Sequence, residues 1–112
     1  MKAAVVTPAG VQIQDVAKPV PKADDVLVRV RASGLNRADL AVAAGHSHGA
    51  IGGAGTIVGM EFAGEVEAVG SAVHGIRAGD RVMCSGAGAY AEYAIADRGR
   101  VSPIPDTNMS FE

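Results

Sequence analysis

The chain has 112 residues, 48% of them hydrophobic, with 15 glycines, 5 prolines, no tryptophan and a formal net charge of -2. That length supports one domain burying roughly two-thirds of its unfolded surface around a single core, and the apolar fraction excludes intrinsic disorder. No Lys/Arg block points to nucleic acid and no apolar run reaches bilayer length.

The N-terminus M-K-A-A-V-V-T-P lacks the apolar core of a signal peptide, so a cytoplasmic location is expected. Cys84 is the single cysteine, which excludes an intrachain disulfide and any multi-cysteine metal cage. Many glycines against few prolines favour a turn-rich sandwich or barrel.

K-A-A-V-V-T (2–7) reads as a first strand and P-A-G (8–10) as a turn. V-Q-I-Q-D-V (11–16) then alternates, which predicts a hairpin with Val11 and Ile13 inward and both glutamines outward. The Pro19–Pro21 stretch is a loop, because proline cannot donate to a central ladder. V-L-V-R-V-R-A (26–32) is the strongest strand, with Val26, Val28 and Val30 as its core stripe and Arg29 and Arg31 as its wet one.

From Ser33 to Gly45 the period turns helical. Asn36 is a good N-cap, Asp39 three positions on can return a hydrogen bond, and Gly45 supplies the end. The glycine-rich segment 46–55 reads as a mobile surface loop. Residues 58–83 form the organising stretch: E-V-E-A-V (65–69) turns Val66 and Ala68 to one face. Gly79-Asp80 marks a turn, and R-V-M-C (81–84) is the next strand. Gly59 and Gly64 bracket a barrel corner that carries Glu61. A-Y-A-E-Y-A-I-A (89–96) alternates again, with Tyr90, Glu92, Ala94 and Ala96 on one side, and G-R-V-S-P-I-P (99–105) is a last edge strand. The sum is mainly β, about seven short strands with one or two short helices, in a partly open β-barrel.

G-M-E-F-A-G-E-V-E-A-V-G (59–70), A-G-D-R-V (78–82) and A-Y-A-E-Y (89–93) together resemble the N-terminal GroES-like domain of the medium-chain dehydrogenase/reductase superfamily. G-L-N-R-A-D-L (34–40) is similar to its zinc-free NADPH:quinone oxidoreductase branch. The resemblance implies a GroES-like domain over residues 1–112, cut before the nucleotide-binding domain. No G-x-G-x-x-G occurs that could hold a pyrophosphate, so a Rossmann domain is expected to be absent from this chain. The implied activity is hydride transfer from NADPH to a quinone or enone, with NADPH bound mainly by the missing domain and this chain alone inactive. The implied partner is a small-molecule acceptor, and a homodimer is possible.

By that resemblance Asn36 and Asp39 line the catalytic cleft, and Asn36 and Met60 meet the cofactor. Plain helix capping accounts for Asn36 and Asp39 equally well. Zinc alcohol dehydrogenases carry cysteine and histidine where this chain has Asn36 and Met60, so no metal is expected. Glu61 is expected to be a buried carboxylate tied to backbone amides or an arginine. His46 and His48 read as a solvated loop pair, and Cys84 as a small buried hydrophobe. Tyr90 and Tyr93 read as packing residues, one hydroxyl within reach of the cleft. A rival class is a non-enzymatic co-chaperonin-type barrel, with G-G-A-G-T-I-V (52–58) as its mobile loop.

Overall fold

Strand-forming runs of Val, Ile and Ala set the architecture, and glycine places its bends. The computed structural model describes residues 1–48, 51–105 and 109–111. Nine strands are seen among them: β1 (Lys2–Thr7), β2 (Gly10–Asp15), β3 (Asp25–Ser33), β4 (Ser47–His48), β5 (Ile51–Gly52), β6 (Glu61–Val69), β7 (Arg81–Ser85), β8 (Tyr93–Asp97) and β9 (Val101–Pro103). One helix, α1 (Arg37–Ala43), follows β3, and a single 3₁₀ turn (Arg98–Arg100) precedes β9. The strand count exceeds the expected seven because β4 and β5 form a two-residue ladder inside the glycine-rich loop. Part of that loop, residues 49 and 50, lies outside the described residues.

A five-stranded antiparallel sheet runs in the order β8-β3-β6-β7-β9 and curls as a half-barrel. Its concave face holds Val26, Val28, Phe62, Val66, Val82, Cys84, Ala94 and Ala96, closed by Val73 and Ala89. Val26 and Val28 are fully buried and Arg29 and Arg31 are exposed, as the alternation of β3 requires. Burying a valine side chain is worth about 1.5–3 kcal/mol. An exposed ion pair such as Arg31–Glu65 (2.7 Å) contributes about 0–1 kcal/mol, so packing rather than surface charge holds this sheet. Burial pushes the Cys84 thiol up to about 12, which makes it the inert apolar residue its strand position suggests.

The hairpin β1–β2 forms a separate two-stranded sheet joined to the first through β1. Ala4 N–H donates to Tyr90 C=O (2.9 Å), Val6 N–H to Thr56 C=O (2.9 Å) and Val58 N–H to Ala4 C=O (3.0 Å). Residues 55–58 are thus laced to β1 backbone to backbone and do not form a loose loop. Val6, Val42 and Val58 make a second small core between β1 and α1, and Tyr90 packs against both cores.

Two expectations are corrected. Val11 and Ile13 do not face inward; they are 41% and 70% exposed, because β2 lies outside β1 and no layer covers it among the described residues. Glu61 is exposed rather than buried, because Phe62, Gly64 and Val66 take the inward positions of β6 and parity turns Glu61 out.

Gly64 shows why this corner needs glycine. A Cβ there would lie 2.0 Å from the Arg29 carbonyl oxygen on β3. Gly64→Ala is expected to cost about 3 kcal/mol, seen as a lowered urea midpoint with an unchanged slope. A midpoint equal to that of the unsubstituted protein would show that β3 and β6 can part here freely.

Candidate active site

Helix α1 begins where β3 ends, so its first turn is delivered to the open end of the half-barrel. Asn36 is the N-cap in extended conformation (φ -124°, ψ 148°). Its N–H donates to Asp39 Oδ2 (2.9 Å), and Asp39 N–H donates to Asn36 C=O (3.0 Å). At the other end Gly45, at φ 90°, accommodates the left-handed turn that stops the helix.

Asp39 is 5% exposed, the single buried charged residue among those described. Such a carboxylate must be hydrogen-bonded to be tolerated. Tyr90 supplies the second donor, its hydroxyl lying 2.9 Å from Asp39 Oδ2 and 3.3 Å from the Gly34 carbonyl oxygen. Burial, first, and then the hydrogen bond to Asp39 and its negative charge push the Tyr90 phenol up to about 12. Ser33 Oγ donates to Ala89 C=O (2.7 Å), tying the strand before the helix to the same segment. Close approach is possible because residue 59 is glycine: a Cβ there would sit 2.7 Å from Ala89 Cβ and 2.8 Å from Tyr90 Cδ1.

Two clefts meet at Asn36. One, about 800 Å³, is lined by Asn36, Arg37, Met60, Glu61, Asp97 and Arg100 among others. Two guanidinium groups and two carboxylates make its lining nearly neutral, which suits an uncharged ligand. The other, about 510 Å³ and largely apolar, lies between α1 and β2, with Leu35, Leu40, Val58, Tyr90 and Val11 around Asp39. Asn36 Nδ2 is buried and has no hydrogen-bond partner among the described residues; the same holds for Asp39 Oδ1.

The structure therefore brings Asn36 and Met60 to one cleft and places Asp39 behind Asn36, beneath the helix. His46 is exposed and the side chain of His48 lies outside the described residues. Sequence reasoning missed the Tyr90–Asp39 bond. No local pattern could have found it, because β8 begins only at Tyr93 and the pair lies 51 positions apart.

The alcohol dehydrogenase GroES-like domain family matches residues 22–106, and the chain belongs to it. It is thereby a member of the medium-chain dehydrogenase/reductase superfamily, a family of oxidoreductases. The quinone oxidoreductase of Mus musculus is 35% identical over 95 residues, covering 83% of this chain and 28% of that protein. A phenolphthiocerol/phthiocerol polyketide synthase component of Mycobacterium tuberculosis is 38% identical over 95 residues, covering 85% of this chain and 4% of the synthase component. A mycobacterial protein solved in complex with NADPH superposes with a TM-score of 0.82 at 31% identity, covering 98% of this chain and 35% of the other. The chain thus spans under a third of the quinone oxidoreductase it matches. No helix among the described residues is long and apolar enough to cross a membrane.

Tyr90→Phe leaves the ring and removes the donor, and is expected to destabilise the fold by about 1–3 kcal/mol. The raised Tyr90 value means that its contribution is fully present below pH 10, the ordinary tyrosine value, and is lost as pH climbs to about 12. Ultraviolet titration should therefore lose its latest phenolate step in Tyr90→Phe. A substituted protein that keeps a step near pH 12 would show that Tyr90 is not the group responsible.

Proposed function

We propose that this chain is the substrate-side domain of an NAD(P)H-dependent oxidoreductase that reduces a quinone or other conjugated carbonyl without zinc. The reading rests on Asn36 Nδ2, a buried amide donor with no partner among the described residues, beside a nearly neutral cleft lined by Met60. A buried donor left unpaired costs about 1–3 kcal/mol, which a ligand carbonyl oxygen would relieve. The carboxamide of a nicotinamide and the carbonyl of an acceptor both offer such an oxygen, so the residues fit the cofactor the family implies. The quinone oxidoreductase relatives and the NADPH complex support the same reading.

Asn36 and Met60 would face the near side of a reduced nicotinamide held mainly by a nucleotide-binding domain, and that group would supply the hydride when bound. Asn36 donates to the acceptor oxygen and stabilises the negative charge that grows there. Asp39 and Tyr90 are positioning residues: one holds the Asn36 backbone, and the other fixes Asp39 against the rest of the barrel. Met60 offers a polarizable apolar wall and helps exclude water. The proton that completes reduction comes from solvent.

An amide and a thioether at positions 36 and 60 are poor zinc ligands. Among the described residues no three His, Cys, Asp or Glu side chains cluster as a metal site. The donor chemistry at positions 36 and 60 is what supports a metal-free reaction. The co-chaperonin alternative finds no support in the family match, and its supposed mobile loop is bonded to β1 at residues 55, 56 and 58.

Titrating the labelled chain with menadione or reduced nicotinamide mononucleotide is expected to move the Asn36 side-chain amide and Met60 methyl resonances. Asn36→Ala should weaken that binding about tenfold, the equivalent of one hydrogen bond. Shifts confined to other surfaces would remove the assignment. NADPH consumption by the chain alone would refute the division of labour between domains.

A further inference from the structure

The N-terminal hairpin has a second edge that nothing in the catalytic reading uses. Met1 and Val16 exchange backbone bonds: Val16 N–H donates to Met1 C=O (2.8 Å), and the Met1 amino group donates to Val16 C=O (2.7 Å). In an antiparallel ladder bonded and non-bonded pairs alternate. The register Lys2–Asp15 to Thr7–Gly10 then makes Ala3–Gln14, Val5–Gln12 and Thr7–Gly10 the bonded pairs. The other side of β1 agrees, since its alternate residues Ala4 and Val6 bond outward to Tyr90, Val58, Thr56 and Gly55.

By the same parity, the N–H and C=O groups of Val11, Ile13 and Asp15 point away from β1. None of them has a backbone partner among the described residues. The side chains of Val11 and Ile13 are also exposed, at 41% and 70%. Edge strands are normally guarded by proline, lysine, a bulge or a covering element. G-V-Q-I-Q-D contains no proline or lysine, its pairing with β1 runs without a register shift, and it is exposed along its length.

We infer that β2 is a strand-pairing surface whose partner is β2 of a second copy of this chain, related by a two-fold axis through Ile13. That register is self-complementary. Ile13 exchanges both backbone bonds with its own equivalent, and Val11 exchanges both with Asp15 of the other copy, so every outward group of the edge is used. Ile13 meets its apolar equivalent on the axis, so no like charges face each other there. Asp15, the single ionisable residue of β2, falls at opposite ends, roughly 13 Å from its equivalent and beyond the screening length at ordinary salt. It is already paired with Lys2 at 2.7 Å, so dimerisation brings no unpaired carboxylates together. The apolar cleft between β2 and α1, with Leu35 87% and Leu40 72% exposed, lies beside this edge and extends the apolar strip that starts at Val11.

Sedimentation equilibrium and backbone hydrogen exchange across a range of protein concentrations test the inference. The 11.3 kDa chain is expected to approach twice its mass as concentration rises. The Val11, Ile13 and Asp15 amides should gain protection with concentration, whereas Gln12 and Gln14, bonded to β1, should be protected throughout. Ile13→Lys sets two ammonium groups opposite each other on the axis and should weaken association at least about tenfold. Ile13→Pro removes an outward N–H that β1 does not use, and should abolish association while the Gln12 and Gln14 amides stay protected. A monomer at every concentration overturns the inference and leaves the edge to a strand of another protein. A dimer insensitive to both substitutions overturns it too, since its interface would lie elsewhere.

Discussion

The hydrogen bond from Tyr90 to Asp39 joins the segment that laces β1 to the half-barrel with the first turn of α1, alongside the packing of Val6, Val42 and Val58. Tyr90 comes from the segment that ties β1 to the half-barrel, and its ring touches both hydrophobic cores. Asp39 comes from the first turn of α1 and is a buried carboxylate. A buried carboxylate is tolerated only while its donors are in place, so this bond sets the angle at which α1 leaves the barrel. The Asn36 amide, three residues earlier, inherits its position from that arrangement. One phenol thus holds both the helix and the Asn36 amide in place.

The half-barrel supports this arrangement through size more than bulk. Its core is Val, Ala and Cys around a single buried Phe62, so backbones approach closely and side chains have little rotameric freedom. Glycine extends the same logic where segments cross closely. Gly64 lies under the Arg29 carbonyl, and Gly59 lets the Ala89–Tyr90 segment pass. The backbone that carries the site is thereby held by close crossings that leave little room for a side chain between them.

Much of this was legible in the residues. Alternation in 26–32 and 65–69 gave the central strands and their faces, and Asn36, Asp39 and Gly45 gave the helix with its ends. What alternation cannot say is which side of a strand will be covered. Val11 and Ile13 obey the period and still point outward, because covering depends on a layer that forms elsewhere. Glu61 was misjudged from its neighbouring glycines, when the parity of Phe62, Gly64 and Val66 already turned it out. The pairing of Tyr90 with Asp39 spans 51 positions and has no local signature; only the packing of the two cores brings the pair together.

The lacing of β1 bears on the order in which the fold can assemble. Its outer bonds go to residues 55–58 and 90–92, so β1 must wait for those distant segments before its second edge is satisfied. Contacts of such sequence separation are slow to form, because the loop entropy must be spent before they reward the chain. Until those segments arrive, both edges of the β1–β2 hairpin are bare. Its encounters at that stage, with chaperones or with another unfinished hairpin, would be governed by Val11 and Ile13 before the cleft at Asn36 exists.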